Sequence, residues 1–185
     1  MRRSALLLAC LASFAQAAAF PPAVELDGKQ LTLNGSALRT VWGFKVYRVG
    51  LFLAEPATDA DHIMNRDRAP KRIHMVMLRA VTNAKFTATV RENIDHNLST
   101  ADKEKFATEL AAYLGYLEAG GDLEPGSEIT IDYIPNRGMV LAHDGEFVGT
   151  IPGDEFYHLM LRLWIGQPLQ PSIKTGLLGA TASGD

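Results

Sequence analysis

The segment F-K-V-Y-R-V-G-L-F-L, residues 44–53, constrains the fold of this chain more than any other. Read as a strand, it puts Phe44, Val46, Arg48, Gly50 and Phe52 on one parity and Lys45, Tyr47, Val49, Leu51 and Leu53 on the other. Apolar side chains occupy both faces, so the strand needs cover on both and belongs inside a layered domain. L-N-G-S-A-L-R and T-V-W-G precede it, which sets Arg39 at the foot of an almost charge-free wall. A guanidinium keeps its proton and presents a planar fork of donors, so an arginine there suits an anionic head group on an oily molecule. The plain alternative is a strand-end arginine that snorkels to water or pairs with a surface carboxylate.

The N-terminus has the layout of a secretory signal: Arg2 and Arg3, an apolar run from Ala5 to Phe14, then Ala15-Gln16-Ala17. Residues 1–19 are read as that signal, with cleavage after Ala17 or Ala19. A lipoprotein reading at Cys10 fails because only about five apolar residues precede it, too few for the apolar region of a signal. Loss of Cys10, the one cysteine, would leave no disulfide, thiol nucleophile or thiolate metal site. The remainder, about 168 of 185 residues, is single-domain length and able to bury a substantial core. The domain is placed at residues 20–180 and a frayed tail at 181–185. Without Arg2 and Arg3, the 18 basic residues become 16 against 21 acidic, and the formal charge moves from −3 to −5. Neither nucleic acid nor an anionic membrane is favoured as partner, and no apolar run is long enough to span a bilayer.

Asp27-Gly28 reads as a hairpin turn, and Asn34-Gly35 repeats that signal. After Pro56, Thr58 is expected to cap a short helix containing Asp59 and Asp61. Ile73 to Leu78 reads as a central strand. From Asn83 a helix carries Phe86, Val90, Asn93, Ile94 and Asn97 at three- and four-residue spacing, so its inner stripe holds two amides and Asn93 is half-buried. A second helix starts near Ser99 or Thr100 and buries Phe106, Leu110, Tyr113, Leu114 and Leu117 before Gly120-Gly121 stops it. Segments 128–134, 138–142 and 147–151 then form an antiparallel meander. A last patterned helix carries Phe156, Leu159, Met160, Leu163 and Trp164, with Asp154 as its expected cap. Strands, helices, strands, helix is an α+β order.

The sequence carries no nucleophile elbow, phosphate loop, dinucleotide fingerprint or paired-histidine motif. His62, His74, His96, His143 and His158 lie on different elements without ligand spacing, so no metal site and no cofactor are expected. Asp95 and His96 point about 100° apart on a helix and read as surface. Asp122, Glu124, Glu128 and Asp132 lack the alternation of a calcium loop and read as a solvated edge.

Taken together, L-N-G-S-A-L-R, K-V-Y-R-V-G-L-F-L, A-K-F-T-A-T-V-R-E-N and L-R-L-W-I-G resemble the chalcone isomerase-like family in its exported bacterial branch, in order and spacing across nearly the whole mature chain. The resemblance implies an open-faced β-sandwich, a large antiparallel sheet with helices on one face and a ligand cleft between. It also implies roles. Arg39 falls on the arginine that holds the substrate phenolate in plant enzymes of the family, and Asn93 on their helix asparagine. Tyr47 falls where those enzymes have a threonine, and a tyrosine there is similar to the fatty-acid-binding branch. The helix tyrosine falls on Phe86 and a Ser or Thr falls near Leu163, so two hydroxyls are replaced by hydrocarbon.

Enone cyclisation needs a donor where enolate charge develops, whereas an acyl chain needs an apolar cleft and its carboxylate an anchor. The expectation is therefore a non-catalytic periplasmic or secreted protein that binds a small amphipathic carboxylate or phenolate through Arg39, Tyr47, Phe86 and Asn93. Two alternatives stand beside it. One is an isomerase-type intramolecular lyase using Arg39, Tyr47 and Asn93; the other is a ligand-free scaffold whose cleft is filled by its own side chains. Oligomeric state is not legible.

Overall fold

The computed structural model describes residues 20–179, so the expected signal segment and the 181–185 tail lie outside the described residues. Seven strands follow one another as neighbours in one antiparallel sheet: β1 (Ala23–Leu26), β2 (Lys29–Val41), β3 (Phe44–Leu53), β4 (Lys71–Met77), β5 (Glu128–Ile134), β6 (Gly138–His143) and β7 (Glu146–Ile151). Between β4 and β5 lie α1 (Asn83–Asn97), α2 (Thr100–Lys105) and α3 (Ala107–Ala119), and after β7 come α4 (Asp154–Met160) and α5 (Pro171–Leu177). Alternation along the strands assigns two faces. Val49, Leu51, Ile73, Met75, Ile129 and Ile131 face the helices and share one core with Leu110, Tyr113, Phe156 and Ile173. The opposite face carries only a small cluster around Leu26, Leu31, Phe52 and Ile134, covered in part by Phe20. This is the α+β, open-faced arrangement that the family resemblance implies, with β4 at the centre of the sheet, whereas the cover expected on both faces of β3 is only partial, Phe44 being 60 % exposed.

Several local expectations are overturned. The Asp27-Gly28 turn stands, both residues having positive φ. Asn34-Gly35 is not a turn, however; it lies within the thirteen residues of β2, at a bulge between Leu33 and Gly35. The Asn34 side chain donates to Ala57 O at 2.9 Å and to Leu177 O at 2.8 Å, and accepts from Ala57 N at 2.8 Å. It is thus an anchor for α5 and for the loop after β3. The β2–β3 turn falls instead on Trp42-Gly43, with φ of 53° and 79°, and Trp42 is 93 % exposed.

Asp61 occupies the cap position of the short π-helical turn His62–Arg66, and the carboxylate that accepts from the backbone there is that of Asp59, from Asp61 N at 2.9 Å and His62 N at 3.3 Å, not the side chain of Thr58. The second helix breaks at Phe106 into α2 and α3, and Ser99 and Asp102 form a capping box on α2. Gly153, not Asp154, occupies the cap of α4. A π-helical turn at Arg162–Gly166 follows, and α5 is an element that the sequence pattern did not suggest.

Asp132 does not sit on a solvated edge. It lies opposite Arg72 on the open face and receives Arg72 Nε and Nη2, each at 2.6 Å, in a bidentate pair. Its row across the sheet runs Leu33, Phe52, Arg72, Asp132, Val140, so the pair is walled by hydrocarbon.

An apolar cavity with one arginine

Arg39 and Tyr47 are directly paired across β2 and β3, and Tyr47 pairs onward with Met77 of β4. That row forms one end of a cavity of about 100 Å³ between the sheet and α1, α3 and the Arg162–Gly166 turn. Arg39, Tyr47, Phe86 and Asn93 all line it, as does Leu163. Most of the remaining wall is hydrocarbon, including Val46, Met75, Val90, Leu117 and Ile131. The four residues singled out in the sequence therefore meet in one place, although they come from three elements.

Their chemistry differs. Among the described residues Arg39 makes no ion pair. Its guanidinium donates to Gln170 Oε1 at 3.2 Å and at 3.4 Å to the carbonyl of Thr40. Gln170 precedes α5 and is itself pinned, with Nε2 donating to Leu38 O at 2.8 Å and Oε1 accepting from Thr40 N at 2.9 Å. It thus steers Arg39 without neutralising it. Sequence reasoning missed Gln170, and the only available signal was a glutamine just before Pro171 at the start of a short helix.

Burial raises the Tyr47 hydroxyl to about 12, while the nearby Arg39 charge pulls it partly back. The phenol is accordingly a neutral donor at neutral pH. Tyr113, also on the cavity wall, is raised by burial, as is Tyr157 in the core. An unfolded tyrosine ionises near 10.0. Folding holds these phenols neutral to higher pH, so the stability linked to them is complete below about pH 10 and declines as pH rises toward 12. Absorbance at 295 nm is expected to show tyrosinate from these residues appearing together with alkaline unfolding; free ionisation of every tyrosine near pH 10 in the folded protein would contradict their burial.

Asn93 faces the cavity with its amide already engaged. Its Nδ2 donates to Leu163 O at 3.1 Å, and its Oδ1 accepts from Asn97 Nδ2 at 2.9 Å. Its place in the structure is to stitch α1 to the Arg162–Gly166 turn. Phe86 is half-buried and Leu163 buried, so the wall is apolar at both positions. Among the described residues no cluster of metal-ligating side chains occurs. Nor is any helix among them long and apolar enough to cross a membrane. His74 instead contacts Glu128 at 3.0 Å on the open face, and Asp95 pairs with Lys103 at 3.0 Å on the surface.

A seven-stranded antiparallel meander carrying its helices, and a cleft, on one face defines the chalcone isomerase-like fold class. The family model described as chalcone isomerase-like matches residues 12–179, and the chain belongs to that family. No curated relative matches the sequence. Among solved structures the chain is similar to a fatty-acid binding protein of Arabidopsis thaliana, with a TM-score of 0.64 and 16 % identity over 86 % of this chain and 90 % of that one. At that identity the likeness speaks for the fold.

Proposed function

We propose that this protein binds a small amphipathic anion, a fatty-acid-like carboxylate or a phenolate, in the cavity beneath Arg39, and does so without turning it over. One observation carries the reading. A half-buried guanidinium without a carboxylate partner among the described residues sits at the end of a cavity walled mainly by hydrocarbon. A charge in that setting is costly alone and is satisfied by an anionic ligand, which also receives a charge-assisted hydrogen bond. Tyr47 supplies the second donor from the neighbouring strand. The fatty-acid binding protein with the same fold supports an acyl ligand. Against turnover stand the hydrocarbon at Phe86 and Leu163 and the engaged amide of Asn93, which leave little to stabilise a developing enolate. A self-filled scaffold fits less well, because the cavity has volume of its own.

We place the protein in the periplasm, on the strength of the basic, apolar and Ala-x-Ala layout of its first residues. N-terminal sequencing of the mature protein is expected to begin at Ala18 or Phe20, and an intact Met1 or a lipid on Cys10 would contradict export as a soluble protein. Native mass spectrometry of protein purified from its own cells tests the binding reading. A co-purifying aliphatic or phenolic acid of a few hundred daltons is expected, released on denaturation. An empty protein that cyclises hydroxychalcones well above the uncatalysed rate would favour the isomerase.

A further inference from the structure

A second cavity, of about 210 Å³, opens beside the first and is about twice its size. Phe86, Leu117 and Ile129 line both, so these three side chains are the partition between them. The second cavity is also apolar, with Leu123, Leu141, Ala142 and Val148 on its wall, and Tyr116 lies over Gly149, where an added Cβ would stand 2.3 Å from the ring. Phe86 is half-buried at the margin of the main core, and among the described residues no aromatic ring stacks on it, so a change of rotamer there breaks apolar contacts only.

The strands that contribute to the two voids follow in order. The first is floored by β2, β3, β4 and β5, from Arg39 to Ile129; the second continues from Ile129 through β6 to Val148 on β7. The cavities thus form one line across the sheet, with the cation at its β2 end. At about 4.8 Å per strand, the first covers about 14 Å and the two together about 24 Å. An extended chain advances about 1.2 Å per bond, as the polypeptide does at up to about 3.6 Å per three bonds. The first cavity alone then suits an acid of about 12 carbons, and the pair one of about 20.

We propose that the second cavity is the acyl-tail compartment of the same site, entered past a displaced Phe86 ring, and that it makes the protein selective for long-chain over medium-chain carboxylates. This inference rests on the binding reading above and goes beyond it in naming the class of ligand. His143 pairs with Ile129 on the helix-facing side of the sheet and, like Val148, lies on the second cavity alone, so filling it there leaves the Arg39 end untouched.

The experiment titrates decanoate and palmitate, by displacement of a fluorescent fatty acid, against wild type, His143→Trp and Arg39→Ala, with melting curves for each. Each buried methylene is worth about fourfold in affinity. Palmitate is expected to bind wild type at least a hundredfold tighter than decanoate. His143→Trp should weaken palmitate at least tenfold and change decanoate less than twofold, while Arg39→Ala weakens both alike. If His143→Trp does not melt cooperatively, Val148→Phe on the edge strand replaces it. Binding of both acids within threefold of each other in wild type, still sensitive to Arg39→Ala, would overturn the tail compartment alone. Palmitate affinity unchanged by a folded cavity-filling variant would do the same. Failure of both acids to bind wild type would overturn the binding reading as well.

Discussion

Replacing Arg72 by alanine is expected to cost about 3–5 kcal/mol of folding stability, because it strands a buried carboxylate. Arg72 and Asp132 meet in a bidentate pair with both contacts at 2.6 Å, and their side chains are 20 % and 8 % exposed. Phe52 and Val140 flank them in the same cross-strand row, so little water reaches the pair. The loss comes from one unpaired charge rather than from the pair's net contribution. The double variant Arg72→Met, Asp132→Leu should therefore recover most of it, hydrocarbon of similar size often replacing a buried pair at little cost. Urea unfolding of both variants checks this; a loss below about 1 kcal/mol for Arg72→Ala would mean that the pair behaves as a solvated surface bridge.

Gly35→Ala should cost about 3 kcal/mol, the upper end of overpacking effects, and should also weaken ligand binding. A Cβ at this position would lie 2.2 Å from Gly176 O, 2.7 Å from Leu177 O and 2.8 Å from Gly179 N, all backbone atoms that cannot rotate away. Gly176 faces β2 equally closely, 2.5 Å from Ser36 O when given a Cβ. The two glycines let β2 and α5 touch backbone to backbone, and α5 follows directly on Gln170, which steers Arg39. Displacing α5 thus moves the anchor. Thermal melting and fatty-acid titration should fall together for Gly35→Ala, and a variant with wild-type stability would show that α5 is not held by this contact.

The same glycine shows where the sequence stops being legible. Asn34-Gly35 has the chemistry of a hairpin turn, and nothing local says that its value lies in contacts with residues some 140 positions away, at Gly176 and Leu177. The true turn at Trp42-Gly43 begins with a residue rarely chosen for positive φ, so propensity pointed away from it. By contrast, β3, β4 and the meander were readable because apolar alternation is written into adjacent residues. The helix faces were readable for the same reason, including Phe86 and Asn93 at seven-residue spacing on α1. Arg39 stood out as a charge next to an apolar strand. Gln170 and the second cavity left no such trace: the first is one polar residue among many, and the second is a shape made by residues from five segments. The break at Phe106 between α2 and α3 was hidden because the apolar spacing runs on through it.

The central claim is that Arg39 holds an anion in an apolar cavity. Paired measurements on wild type and Arg39→Ala, a fluorescent fatty-acid titration and a melting curve, test it most directly. The variant should lose about 1.5–3 kcal/mol of binding, the scale of a charge-assisted hydrogen bond. Its melting temperature should barely change, because Gln170 Oε1 keeps its 2.9 Å bond from Thr40 N and no carboxylate is stranded. A large fall in melting temperature with unchanged affinity would contradict the account and make Arg39 a structural residue.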